Sequence, residues 1–128
     1  MRDIVHNIGA LLVVPPAVQA ATVTSATVDL LGFDSVAFLV NTGAIVGSGN
    51  FTAKVQASDT DVDANFVDVP ANLLQGALPP VLTATSSAKV GYRGFKRYVR
   101  IVLTKNSGTS IAADIVAIKS HAVDRPVA

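Results

Sequence analysis

The chain has no cysteine and no tryptophan, and all nine of its acidic residues are aspartates, so glutamate is absent as well. Without cysteine there can be no disulfide, no thiolate nucleophile and no thiolate metal site. Charged residues make up 15% of the chain and hydrophobic residues 50%, whereas charged residues make up about 25% of typical globular domains. A surface so poor in charge is expected to be covered by other protein, and the composition therefore predicts a subunit of an assembly.

The abundant residue types favour strands and turns, because valine and threonine suit strands while aspartate and serine suit turns. Residues 51–58 alternate between apolar and polar side chains, as a strand with one solvent-facing side does. The predicted strands lie at residues 22–30, 35–41, 51–58, 65–69, 81–85, 88–92, 97–104 and 111–119. Since no helices alternate with them, the pattern predicts one all-β domain over residues 21–128, an antiparallel sandwich similar to a jelly roll. Residues 105–109 are predicted to close a hairpin between the last two strands.

Residues 1–20 are predicted to form an extended N-terminal arm, because Pro15-Pro16 imposes extended backbone. The segment imitates a secretory signal peptide, but polar residues interrupt its apolar region, so we expect that it is not cleaved. Its apolar run is far too short to span a bilayer. The arm could pack on its own domain or on a neighbouring subunit, and the sequence leaves both open. Its predicted contact residues are Ile4, Ile8, Leu11, Leu12 and Val13.

Six of the ten basic residues lie between Lys89 and Lys105, with three aromatic residues among them. Such a segment could be a solvated strand end, an interface that pairs with carboxylates of a neighbouring subunit, or a surface for nucleic-acid phosphates. The net charge of +1 gives no overall attraction to nucleic acid. We predict a protein interface, and its basic contact residues are Arg93, Lys96, Arg97 and Arg100.

The sequence offers no catalytic or metal-binding pattern. Residues 59–64 begin like a calcium loop, but Ala64 and Pro70 stand where an EF-hand needs glycine and glutamate. His6 and His121 lie near opposite ends of the chain without metal-ligand spacing. No nucleophile elbow is present. We therefore expect no enzyme activity, no catalytic residue, no metal, no cofactor and no small-molecule substrate.

Several segments carry a further signal: "GFDSVAFLVNTGAI", "SGNFTAKVQASDT", "KVGYRGFKRYVRIVLTKNSGT", "HAVDRPVA" and the N-terminal "RDIVHNI". Together they resemble a family of small proteins encoded among the head and structural genes of tailed bacteriophages and prophages. The resemblance extends over nearly the whole chain, but it includes no catalytic signature and carries over no binding residue. It implies a β-rich auxiliary protein of the virion that decorates or cements the capsid.

The expected function is that of a capsid decoration or cement protein, made in the bacterial host cytoplasm and located on the capsid surface. Its expected partners are the major capsid protein and further copies of itself, with no membrane and no nucleic acid. Two alternatives remain open from the sequence. One is a component of the head–tail connector, the tail or the spike base, and the other is a nucleic-acid-binding module that uses residues 89–105.

Overall fold

The computed structural model describes residues 3–123, which form two antiparallel sheets packed face to face. Sheet A has the strand order β1-β10-β4-β8-β7, and sheet B has the order β2-β9-β5-β6, with β3 also paired to β9. The strands are β1 (Gly9–Gln19), β2 (Val23–Thr24), β3 (Val28–Asp29), β4 (Phe33–Val46), β5 (Asn50–Ser58), β6 (Val67–Asp68), β7 (Leu74–Gln75), β8 (Ser87–Tyr92), β9 (Tyr98–Ser107) and β10 (Ser110–Ala122). Single 3-10 turns lie at Val5–Asn7, Asp63–Asn65 and Ala71–Leu73. The all-β sandwich is confirmed.

The core fills the space between the two sheets. Alternate residues of the long strands point inward, so that Phe38 of β4, Phe51 of β5, Ile101 of β9 and Ile115 of β10 are fully buried. The predicted alternation of residues 51–58 is present, since Phe51, Val55 and Ala57 are buried while Lys54 is exposed. Among residues 3–123, no helix is long and apolar enough to cross a membrane.

The connection between β9 and β10 does not close a hairpin, so that prediction is wrong. β9 pairs with β5 in sheet B and β10 pairs with β4 in sheet A, which means that the chain crosses between the sheets at residues 108–109. The β4–β5 connection crosses at the same place, and the two corners pack together. A side chain on Gly108 (φ 78°) would overlap the carbonyl of Ser48 and lie 2.6 Å from Cα of Gly49. The corner therefore requires glycine for both its backbone conformation and its close packing.

Residues 9–19 form an integral edge strand and not a separate arm. β1 pairs with β10 from Gly9↔Lys119 to Gln19↔Ile111, with register shifts on either side of Val14. Pro15 and Pro16 lie within the second shift, and an edge strand tolerates them because their missing N–H groups are not needed there. The predicted boundary at residue 20 is therefore not a structural boundary. Residues 1–2 of the predicted arm and residues 124–128 of the predicted domain lie outside the described residues.

The strand expected at residues 81–85 is also absent, and irregular backbone takes its place. Leu82 is nevertheless buried in the core, and its N–H donates to the carbonyl of Phe51 (2.9 Å). The apolar residues of this segment therefore indicate that part of it is buried, and they do not indicate a strand.

Candidate protein-interaction surfaces

The predicted basic edge is internally paired over most of its length. Arg97 binds Asp29 of β3 through two parallel hydrogen bonds, from Nε to Oδ1 and from Nη2 to Oδ2, each 2.8 Å long. Lys96 Nζ lies 3.1 Å from Oδ2 of Asp59, in the loop after β5. These contacts tie the start of β9 to its neighbours in sheet B.

Arg100 holds the loop of residues 59–64, which we call the acidic loop, against the outside of sheet B. Its Nε donates to Oε1 of Gln56 (2.9 Å), and its Nη1 donates to Oδ1 of Asp63 (3.0 Å). The guanidinium also stacks on the ring of Phe66, with its carbon 4.1 Å from the ring centroid. Because only 12% of the Arg100 side chain is exposed, the charge is committed to these intramolecular contacts.

The ion pair also sets the acidity of Asp29. Hydrogen bonds from the Arg97 guanidinium lower the pKa of Asp29 from its ordinary 3.8 to about 2. The same contact raises the pKa of Arg97 above its usual range. Asp29 is therefore ionised throughout the physiological range, and the pair persists there.

Three of the four predicted interface cations thus have carboxylate partners in their own chain. Arg93 is exposed and has no carboxylate partner among the described residues. A phosphate backbone binds through uncompensated lysine and arginine charge, and ion pairs compensate three of the six cations between Lys89 and Lys105. Two aspartates of the acidic loop, Asp59 and Asp63, are paired with Lys96 and Arg100. Within residues 3–123, no three His or Asp side chains form a group that could hold a metal ion.

The loop between β8 and β9 presents a feature that the sequence analysis did not single out. Phe95 has a relative exposure of 101%, so its whole ring lies in solvent. The backbone on both sides of it is fixed. The N–H of Arg93 donates to the carbonyl of Leu73 (2.7 Å), and the N–H of Lys96 donates to the hydroxyl of buried Tyr92 (3.3 Å). A fully exposed ring on a fixed loop is typical of a contact residue.

Two further exposed apolar side chains lie at the same end of the sandwich. Leu31 is 69% exposed, and Val123 is 73% exposed and bound through its N–H to the carbonyl of Gly32 (2.8 Å). We call Leu31, Phe95 and Val123 the end patch. A groove of about 320 Å³ runs beside Phe95, and it is lined by Leu30, Leu31, Gly32, Phe33, Asp34, Gly94, Phe95, Lys96 and Arg97.

A second candidate surface is the outer face of sheet A. Strand register places six apolar side chains side by side on this face, across β1, β10 and β4. They are Ala10, Leu12, Ala37, Leu39, Val116 and Ile118. None of the six is buried in the chain's own core, and Leu12 is 50% exposed. The six contain no charge, and the charged residues of this face, Lys89 and Asp114, lie beside them.

The outer face of sheet B is different in character. Its residues include the ladder Thr52–Thr104 and the polar cluster of Gln56, Arg100 and Asp68. Gln56 donates to Asp68 (2.8 Å), and Lys54 lies 3.3 Å from the same carboxylate. The two outer faces of the sandwich are thus one polar and one apolar.

The predicted N-terminal contact residues do not share one environment. Ile4, Leu11 and Leu12 are exposed, and Ile8 is half-buried. Val13 is only 4% exposed and belongs to the core, so it is not available to a neighbour. This placement is a correction, and its cause is the pairing of β1 with β10, which turns Val13 inward. Whether the exposed residues contact another subunit stays a prediction.

Comparisons with known proteins show the fold. No protein-family model and no curated protein matches the chain. The crystal structure of SPBc2 prophage-derived protein YomS superposes with a TM-score of 0.54 at 10% identity, covering 88% of this chain and 92% of that one. A structure of Bacillus endospore appendages, described as disulfide-linked pili, superposes with a TM-score of 0.48 at 11% identity, covering 89% of this chain and 88% of that one. A structure of infectious bursal disease virus, Gx strain, superposes with a TM-score of 0.46 at 14% identity, covering 93% of this chain and 33% of that one. The likeness to YomS establishes a shared fold, and the function has to be argued from the surfaces.

Proposed function

We propose that this protein is a structural component of a phage virion, and more specifically a decoration or cement protein that bridges neighbouring major capsid subunits. It acts by binding and not by catalysis, and it lies on the capsid surface. In this proposal the outer face of sheet A covers the seam between two capsid subunits, and the polar outer face of sheet B faces the solvent.

The observation that carries the proposal is the contrast between the two outer faces. Leu12, Leu39 and Val116 lie in one row across three strands of sheet A, where a free monomer would carry polar side chains. Contiguous apolar surface of this kind marks a protein-binding site. The opposite face carries the ion pairs and hydrogen bonds of Lys54, Gln56 and Arg100, which suit a surface in contact with water.

Two further points support a virion role. The chain has the fold of YomS, a prophage-derived protein. Its sequence segments also resemble proteins encoded among the head and structural genes of tailed phages. The virion role in this proposal therefore rests on the resemblance and on the surfaces, and the likeness to YomS adds the shared fold.

The energetics suit a cementing role. Covering a few hundred Å² of apolar surface yields several kcal/mol at about 25 cal/mol per Å². The costs of association reduce this value for each copy. A shell repeats the contact at many equivalent sites, so even a modest net gain per copy raises the free energy that is needed to open the shell.

The location can be measured on particles purified from the phage or prophage that encodes this chain. Quantitative gel electrophoresis should give hundreds of copies per particle, because a decoration protein follows the capsid lattice. About six or twelve copies would instead fit a connector or tail component with cyclic symmetry. Absence from washed particles would overturn the virion role altogether.

The binding face can be tested on shells stripped of this protein. Leu39→Asp places an uncompensated charge in the middle of the apolar row and should weaken rebinding at least about 30-fold, which corresponds to about 2 kcal/mol. Thr52→Asp, on the outer face of sheet B, is the matched control and should rebind like the wild type. If Leu39→Asp rebinds as well as Thr52→Asp and the wild type, the outer face of sheet A is excluded as the contact.

A further inference from the structure

The end patch, with the charged residues Arg93 and Asp34 at the same end of the sandwich, is complementary to a second copy of itself in shape and in charge. We infer that a second copy of this chain binds there, related to the first by a two-fold axis, with Phe95 of each copy seated in the groove beside Phe95 of the other. This inference concerns a surface separate from the outer face of sheet A and does not depend on the proposed function.

The loop that carries Phe95 is rigid. The loop is fixed at Arg93 by Leu73, at Lys96 by Tyr92 and Asp59, and at Arg97 by the N–H of Leu30, which donates to the Arg97 carbonyl (2.9 Å). A side chain added at Gly94 would overlap the ring of Tyr92, so the loop is packed directly on the core. The position of Phe95 is therefore set before any partner binds, which lowers the entropic cost of binding.

The groove beside Phe95 has the size and the lining to take an aromatic ring. Its floor and walls include Leu30, Leu31 and Phe33, and its volume of about 320 Å³ accommodates an aromatic ring. Phe95 borders this groove but points into solvent, so it does not fill the groove of its own copy. A two-fold axis next to Phe95 brings the ring of each copy to the groove of the other, and cyclic two-fold dimers are the commonest symmetric assemblies.

The charged side chains around the patch fall into paired and unpaired groups. Lys96 and Arg97 are paired with Asp59 and Asp29 in their own chain. Arg93 and Asp34 are both exposed, and neither has an ion-pair partner among residues 3–123.

The register Val36↔Tyr92 places Asp34 and Arg93 at the same end of the β4–β8 ladder, which is the end that carries the patch. One positive and one negative charge beside an apolar centre can each meet the opposite charge of a second copy that is related by a two-fold axis. Other titratable groups of this end are engaged elsewhere: Lys119 stacks on Phe33 with Nζ 4.5 Å from the ring centroid, and His121 Nδ1 contacts Ser35 Oγ (2.8 Å).

The occupant is therefore a second copy and not a partner of another kind. A different protein would have to present an apolar projection with one carboxylate and one cation beside it. A second copy of this chain already presents these groups as Phe95, Asp34 and Arg93.

The test uses the full-length chain and measures its molar mass as a function of concentration by sedimentation equilibrium. The wild type should form a dimer. Phe95→Ser should weaken dimerisation at least about 30-fold, since a central aromatic contact is worth about 2 kcal/mol or more. At concentrations where the wild type is monomeric, this variant and the charge variants described below should keep the wild-type melting temperature, because the substituted side chains are exposed.

The charge variants provide the decisive control. Arg93→Asp and Asp34→Arg each create two like-charge contacts in a symmetric dimer, so each variant alone should be monomeric at concentrations where the wild type is dimeric. An equimolar mixture of the two should form a heterodimer with wild-type affinity, because every contact is then between opposite charges. Lys89→Asp, a charge reversal away from the patch, should dimerise like the wild type.

Several results would overturn the inference. They are a wild type that stays monomeric at millimolar concentration, a Phe95→Ser variant that dimerises normally, charge variants that dimerise normally, and a mixture that associates no better than its components. None of these outcomes bears on rebinding to shells by the outer face of sheet A, so this inference and the proposed function fail separately.

Discussion

Replacing Arg100 tests how the acidic loop is held on the outside of sheet B. Arg100→Met keeps the apolar stem and removes the guanidinium, which contacts Gln56, Asp63 and the ring of Phe66. The hydrogen bond to Gln56 is worth about 1 kcal/mol, and stacking on Phe66 at 4.1 Å adds about 1 kcal/mol. The ion pair adds little, because the Asp63 side chain is 96% exposed.

The expected loss is therefore about 2 kcal/mol in the free energy of unfolding, which corresponds to a fall in Tm of roughly 6–10 °C for a domain of this size. Urea denaturation followed by circular dichroism measures the free energy directly. The loss should largely persist in about 0.5 M NaCl, since salt screens the exposed ion pair but not the stacking or the bond to Gln56.

Two control variants sharpen the test. Lys89→Met removes an exposed cation from β8 and should change stability by less than about 0.5 kcal/mol. Arg100→Lys keeps the charge but loses the planar group, so it should recover less than half of the loss. If Arg100→Met is no less stable than Lys89→Met, or if Arg100→Lys is fully stable, then the stacked guanidinium does not hold the loop.

Two further predictions concern acidity and the corner between the sheets. Because the pKa of Asp29 is lowered to about 2, its pair with Arg97 stabilises the fold above pH 4, and this contribution is lost as the pH falls from about 4 to 2. Asp29→Asn should therefore be less stable than the wild type at pH 7, and most of this deficit should disappear as the pH falls from about 4 to 2; a difference that does not change with pH would contradict this account. Gly108→Ala should cost more than about 2 kcal/mol in urea denaturation, because the new Cβ would meet the backbone of Ser48 and Gly49. Gly32→Ala (φ 87°) meets no atom within 4 Å and should cost only about 1 kcal/mol, so equal losses would show that packing at the corner is unimportant.

Much of the strand pattern could be predicted from the sequence, because burial of alternate residues is a local property. Residues 51–58 and 111–119 show it clearly and lie in β5 and β10. Which strands share a sheet could not be predicted in this way. A short glycine-containing connection fits a hairpin and a corner between sheets equally well, and the choice at Gly108 depends on packing against Ser48 and Gly49, sixty residues away in the chain.

The N-terminal segment shows the same difficulty. Apolar residues followed by Pro15-Pro16 predict extended backbone, and an arm and an edge strand are both extended. Only the pairing with β10 distinguishes them, and it depends on residues 111–119. The inward position of Val13 follows from this pairing and leaves no local trace in the sequence.

The candidate surfaces were only partly predictable for a related reason. The sequence places Arg93, Lys96, Arg97 and Arg100 in one short segment, but the aspartates that pair with three of them come from distant segments. Phe95 was visible as one aromatic residue among several. Its full exposure depends on how Gly94 packs against Tyr92, which no sequence pattern indicates.

The distribution of charge links the composition to the proposed orientation of the protein. Among the described residues, all four Lys/Arg–Asp pairs join strands of sheet B or the loops that flank them. A soluble monomer with few charges would remain in solution best if those charges were spread over its whole surface. Here the ion pairs are concentrated on one side, and the outer face of sheet A is left with an apolar row that ends at Lys89 and lies next to Asp114. This separation is unfavourable for a free monomer and favourable for a subunit whose sheet A faces protein and whose sheet B faces water.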